Sequence, residues 1–124
     1  MDCDIKQKVK NILEDFKDKI KKIDSDAQIG FRGSVATGHK GPHKGNAPFD
    51  PNDFDIDVFI KSDKLFDANG SWGQGMRSHG YGDMVDYMES IFRKEFPGYR
   101  FDPSKPMDIR IFNQTKIING GITI

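Results

Sequence analysis

The chain has little of what usually betrays a function. It has one cysteine, Cys3, so no internal disulfide can form. That fits folding or acting in a reducing compartment. It has no excess charge of either sign: 19 basic and 19 acidic side chains give a formal net charge of zero. No global positive field draws it to nucleic acid or a membrane, so any polyanion binding must be local. It has no apolar run long enough for a bilayer and no signal-peptide pattern. We therefore expect a soluble chain without membrane insertion. At 124 residues it is expected to form a single domain, 1–124, with a modest core.

What is there is periodic. Ile5, Val9, Ile12, Leu13, Phe16, Ile20 and Ile23 recur every three or four residues and predict a long amphipathic helix ending at Asp24-Ser25-Asp26. Gln28 to Arg32 alternates and reads as a strand. Gly33 to Pro51 reads as a long loop, of the kind a compact domain seldom keeps without a use. Phe54 to Ile60 alternates again, as a second strand. After the glycine-rich stretch Asn69–Gly82, the stripe Met84, Val85, Met88, Ile91, Phe92 and Phe96 predicts a second helix, stopped by Pro97-Gly98. Short strands are expected at Tyr99–Phe101 and Met107–Phe112. A final hairpin is expected from Ile117-Ile118 and Ile122–Ile124 around Gly120-Gly121. This order implies an α+β domain: a small mixed β-sheet with helices packed on one side.

The chemistry lies in DFDIDVFI, Asp53 to Ile60. Residues i and i+2 of a strand face the same way, about 6.6 Å apart. Asp55 and Asp57 therefore share one face, while Phe54, Ile56, Val58 and Ile60 cover the other. Two such charges about 5 Å apart repel by about 3 kcal/mol at an effective dielectric near 20. A divalent cation turns that repulsion into binding, and carboxylates suit Mg²⁺ when substrate phosphates complete its shell. Asp108, in MDIRIF, is a third carboxylate flanked by apolar alternation. If its strand lies beside the first pair, the three carboxylates converge on a metal site. Upstream, Gly33-Ser34 closes an apolar strand. Glycine lets the backbone turn sharply there, and the following N–H groups with the Ser34 hydroxyl could hold a triphosphate. In the intervening loop HKGPHK, Lys40 and Lys44 are candidate phosphate contacts beside His39 and His43. Arg110 shares a face with Asp108 and is a candidate clamp for phosphate. Arg32, before the turn, has the same candidate role or a structural one. Arg77 and His79, in the glycine-rich segment, either close over substrate or are simply flexible. Trp72 and Tyr81 either stack on a base or serve as hydrophobic anchors.

The succession FRGS, DFDID, MDI resembles the DNA polymerase β-type nucleotidyltransferase superfamily, over Gln28 to Asn113. The resemblance implies a nucleotidyltransferase-like fold and transfer of a nucleotidyl group from an NTP to an acceptor hydroxyl. It further implies Gly33 and Ser34 on the triphosphate, Asp55 and Asp57 on Mg²⁺ (or Mn²⁺), and Asp108 completing the metal that activates the acceptor. The loop between Ser34 and Asp55 is longer than the family's usual connection. A sizeable C-terminal helical domain, of the kind many members use to hold nucleotide base or acceptor, is not expected from these 124 residues. FRGSVATGHKG…FDPNDFDIDVFI is also similar to nucleotidyltransferase-like domains at the C-terminal ends of bacterial polymorphic toxins of the contact-dependent inhibition and Rhs types. That second resemblance implies delivery into the cytoplasm of a neighbouring bacterium, a tRNA or other RNA end as acceptor, and a cognate immunity protein as partner.

Two other classes stay open on sequence. A metal-dependent RNase would use the same acidic cluster to activate water. A non-catalytic module would bind metal or nucleotide without turnover, although DPNDFDID lacks the EF-hand glycine and terminal glutamate.

Overall fold

The computed structural model describes residues 2–38, 48–66 and 75–124, with side chains from Asp4 onward. His39, Lys40, His43, Lys44 and Trp72 lie outside the described residues. So do residues 69–74 of the glycine-rich stretch.

Helix α1 spans Asp2–Ile23. Its stripe Val9, Leu13, Phe16 and Ile20 is buried, which is why the sequence period is 3.6. The chain then turns on Asp24, whose carboxylate accepts the Asp26 N–H at 3.0 Å and the Ser62 hydroxyl at 2.5 Å. These bonds hold the Asp24 carboxyl below its usual range, the Ser62 bond foremost. Strand β1 (Gln28–Arg32) follows, then a single helical turn, α2 (Ser34–Thr37). Strand β2 is Asp57–Lys61, helix α3 Gly82–Glu95, β3 Arg110–Phe112 and β4 Ile122–Thr123.

The strands form one mixed sheet in the order β3-β2-β1-β4. β1 pairs antiparallel with β2 and β4, and β2 pairs parallel with β3. Registers Ile29↔Ile60, Phe31↔Val58 and Ile60↔Ile111 put these side chains on one face. They join Leu13 and Phe16 of α1 and Val85, Met88 and Phe92 of α3 in a single core. The molecule is thus a mixed α+β domain with a small sheet. Arg32, Asp57, Phe59, Arg110 and Phe112 fall on the opposite face. Among the described residues no helix is long and apolar enough to cross a membrane.

Four expectations need correction. β2 starts at Asp57, not Phe54, because β1 turns away at Gly33 and leaves the earlier residues no antiparallel partner. Phe54 instead pairs with Tyr99 as an isolated parallel bridge: its N–H donates to Gly98 O at 3.0 Å, and the Arg100 N–H donates to Phe54 O at 2.7 Å. The expected strand Tyr99–Phe101 is reduced to that bridge. β3 is shorter than Met107–Phe112, because side chains take the backbone groups a ladder would use: Glu89 accepts the Met107 N–H, and Asp108 accepts the Ile109 N–H. The terminal residues form no hairpin with Ile117-Ile118. β4 pairs with β1, whose second edge is otherwise open, and the Ile124 N–H donates to Ile29 O at 2.9 Å.

Candidate active site

The sheet's registers bring the chemistry to one end. Antiparallel pairing sets Arg32, the last residue of β1, opposite Asp57, the first of β2. Parallel pairing sets Phe59 opposite Arg110. Asp57 is the first residue of β2, and Asp108 lies two residues before β3, outside the paired segment. Asp55 lies two residues before Asp57. All three carboxylates line one cavity of about 470 Å³.

Each carboxylate is held differently. Asp57 accepts an ion-paired hydrogen bond from Arg32 Nε at 2.8 Å, with both side chains part-exposed. The Arg32 guanidinium also lies over the Phe112 ring, 5.3 Å from its centroid. Asp55 accepts the N–H of its neighbour Ile56 at 2.8 Å. Desolvation raises the Asp55 carboxyl above its usual range, and the Asp57 charge adds to the rise. The Ile56 N–H and Arg100 pull the other way. Asp108 accepts the Ile109 N–H at 2.8 Å and the Arg77 N–H at 3.3 Å. It packs where Gly75 has no side chain, since a Cβ there would overlap the Asp108 Oδ2 atom. The backbone of Gly75 is not unusual in itself (φ −76°); space, not conformation, calls for glycine.

Arg77 is the clamp of this corner. Its guanidinium donates twice to Met107 O, at 3.0 and 2.8 Å, and pairs with Asp86 on α3. The 3-10 turn Met76–His79 is thereby fixed against the segment carrying Asp108. The role is structural; the sequence had left Arg77 between substrate closure and flexibility.

The sequence reading missed a fourth carboxylate. Glu89 is buried, lines the same cavity, and accepts the Tyr99 hydroxyl at 2.7 Å and the Met107 N–H at 3.1 Å. Burial and the Glu89 carboxylate push the Tyr99 phenol above its ordinary value. The only sequence signal was position: Glu89 adjoins Met88 and precedes Phe92 by three, at the edge of the apolar stripe.

Gly33 has φ 93°, a left-handed conformation that favours glycine. It turns the chain from β1 into α2, where the Ala36 and Thr37 N–H groups donate to Gly33 O at 3.0 and 3.1 Å. The residues after Gly33-Ser34 thus form a helical turn at the sheet end that carries Arg32 and Asp57. Gly33, Ser34 and Arg110 do not line the cavity itself. Arg110 is exposed and sits on the sheet face opposite Ile111, two residues beyond Asp108.

Among the described residues no three His, Cys, Asp or Glu side chains are grouped to hold a single metal ion. The donor set is nevertheless of the right kind. Hard carboxylate oxygens suit Mg²⁺, which takes one or two carboxylates together with substrate phosphates. Asp57 and Asp108, on one cavity, are donors of that kind. No protein-family model, curated protein or solved structure matches the chain.

Proposed function

We propose that the protein is a divalent-cation-dependent nucleotidyltransferase, moving a nucleotidyl group from an NTP to an acceptor hydroxyl. The observation that carries the reading is that Asp55, Asp57 and Asp108 line one cavity, with the Gly33-Ser34 turn directly following Arg32, the partner of Asp57. Asp57 and Asp108 would hold Mg²⁺ or Mn²⁺, with Asp55 beside them. Bound there, the metal supplies charge neutralisation for the leaving pyrophosphate and polarisation of the acceptor hydroxyl. The chain's own residues position the rest. The Ser34 hydroxyl and the N–H groups after Gly33 meet the triphosphate, and Arg110 and the lysines Lys40 and Lys44 serve as further phosphate contacts. Asp55 binds protons more tightly than an ordinary carboxylate and is suited to take the acceptor's proton. In-line phosphoryl chemistry asks for little more than such positioning and electrostatics. By resemblance to polymorphic toxin tips, the acceptor is a tRNA or other RNA end, the site of action a bacterial cytoplasm, and the partner an immunity protein.

Incubation with labelled NTPs, Mg²⁺ and cellular RNA tests the reading. Label should pass to RNA with the wild type and not with Asp57→Asn of unchanged fold. No transfer with any NTP overturns it. Shortening of RNA without NTP would replace it with a metal-dependent nuclease.

A further inference from the structure

The cavity has a cation that neither the motif nor the phosphate turn accounts for. Its walls carry the carboxylates of Asp55, Asp57, Glu89, Asp102 and Asp108 against two basic side chains, Arg100 and Lys105. Arg100 is already paired: its Nε donates to Asp53 at 2.9 Å. Lys105 differs. Among the described residues its ammonium makes no hydrogen bond or ion pair, while its backbone is firmly placed. The Lys105 N–H donates to Asp102 O at 3.0 Å, and the Asp102 carboxylate accepts the Ser104 N–H at 2.9 Å and hydroxyl at 2.7 Å. Both ends of the loop are pinned to one buried side chain, since Glu89 holds Tyr99 and Met107. A neighbouring guanidinium, Arg93, stacks 3.7 Å from the Phe101 ring centroid. A lysine left unpaired on a braced loop, in a cavity rich in carboxylates, is placed for an anion that enters with its own countercharge.

We propose that Lys105 binds the polyphosphate of a nucleotide whose metal is shared with Asp57 and Asp108, an inference that rests on the reading above. A cavity of net negative lining repels a free anion. A metal-bound polyphosphate satisfies both the carboxylates and Lys105, which line the same cavity. Ammonium binds phosphoryl oxygen as a point charge, so arginine should substitute in part and alanine should not.

The test is equilibrium binding of pyrophosphate with saturating Mn²⁺, beside binding of Mn²⁺ alone, in the wild type, Lys105→Ala, Lys105→Arg and Lys8→Ala, which removes a charge from the exposed face of α1. Lys105→Ala should weaken pyrophosphate about tenfold, Lys105→Arg about threefold or less, and Lys8→Ala not at all. Affinity for Mn²⁺ alone should not fall in any of the three. Wild-type affinity for pyrophosphate in Lys105→Ala overturns the inference and leaves the metal reading standing. So does a wild type that binds Mn²⁺ but no pyrophosphate. A wild type that binds neither overturns both. Displacement of a single-stranded RNA oligomer by Lys105→Ala, with pyrophosphate unaffected, would assign the lysine to the acceptor backbone and overturn the polyphosphate assignment.

Discussion

Arg32 and Asp57 face each other across β1 and β2 and close an ion pair at 2.8 Å. The guanidinium occupies one oxygen of a carboxylate that the proposed chemistry assigns to a metal. Arginine and cation therefore compete for Asp57. Arg32→Gln should tighten Mn²⁺ binding about threefold or more, because it removes a like charge beside the ligand. It should cost little stability, at most about 1 kcal/mol, since the pair is part-exposed and screened. Titration with Mn²⁺ and a denaturant melt measure the two effects. Unchanged or weaker Mn²⁺ binding would show that the arginine and the cation do not share this carboxylate.

Asp55 should limit the stability of the metal-free protein. Its folded pKa is raised, chiefly by desolvation, so the folded state prefers the protonated form. Between the unfolded value, about 3.9, and the folded one, the unfolded chain releases its proton first, and stability falls as pH rises. Above that window the cost is constant. Asp55→Asn should therefore raise the melting temperature at pH 7, and the gain should shrink as pH falls through that window and be lost below about 3.9. Melting curves across pH check this. A lower melting temperature for Asp55→Asn at pH 7 would contradict it.

The buried pair Glu89 and Tyr99 braces the cavity floor. Tyr99→Phe removes a hydrogen bond of 2.7 Å to a carboxylate and should cost about 1–3 kcal/mol. The phenol is pushed above its ordinary value, so the fold prefers it neutral. Stability should fall as pH rises past about 10, where the unfolded tyrosine ionises, and the slope should flatten in Tyr99→Phe. Urea unfolding at pH 8 to 11 separates the two variants. Parallel slopes would remove Tyr99 as the source.

Much of this fold is local and could be read along the chain. The stripe Val9, Leu13, Phe16, Ile20 and the alternation of Gln28–Arg32 correspond to α1 and β1 because burial repeats at the period of each element. The end of α3 was equally legible: Pro97 holds Phe96 in extended geometry (φ −123°, ψ 101°). What could not be read depends on distant partners. Phe54 leaves β2 because Gly33 ends its neighbour. Ile122 joins β1 rather than the nearby isoleucines because an edge stood open there. Glu89 looks like a solvent-facing charge until Tyr99 and Met107, 10 and 18 residues on, return to it. Asp55, Asp57 and Asp108 could be picked out by alternation, but the groups set against Asp108, the Arg77 N–H and Gly75, come from a segment with no periodicity.

Gly75 gives the sharpest separation of site from stability. A Cβ there meets the end of the Asp108 side chain rather than packed backbone, so the carboxylate can rotate aside. Gly75→Ala should then cost no more than about 1–2 kcal/mol, near the low end for overpacking. The displaced Asp108 loses its place on the cavity, and affinity for Mn²⁺ should fall toward that of Asp108→Asn. The two changes act through one contact and should not add. In Asp108→Ala the obstacle is gone, so Gly75→Ala should have almost no further effect on stability or metal binding. A double-mutant cycle read by Mn²⁺ titration and urea unfolding measures the coupling. If Gly75→Ala weakens Mn²⁺ equally in the presence and absence of the Asp108 carboxylate, the glycine does not act by positioning Asp108.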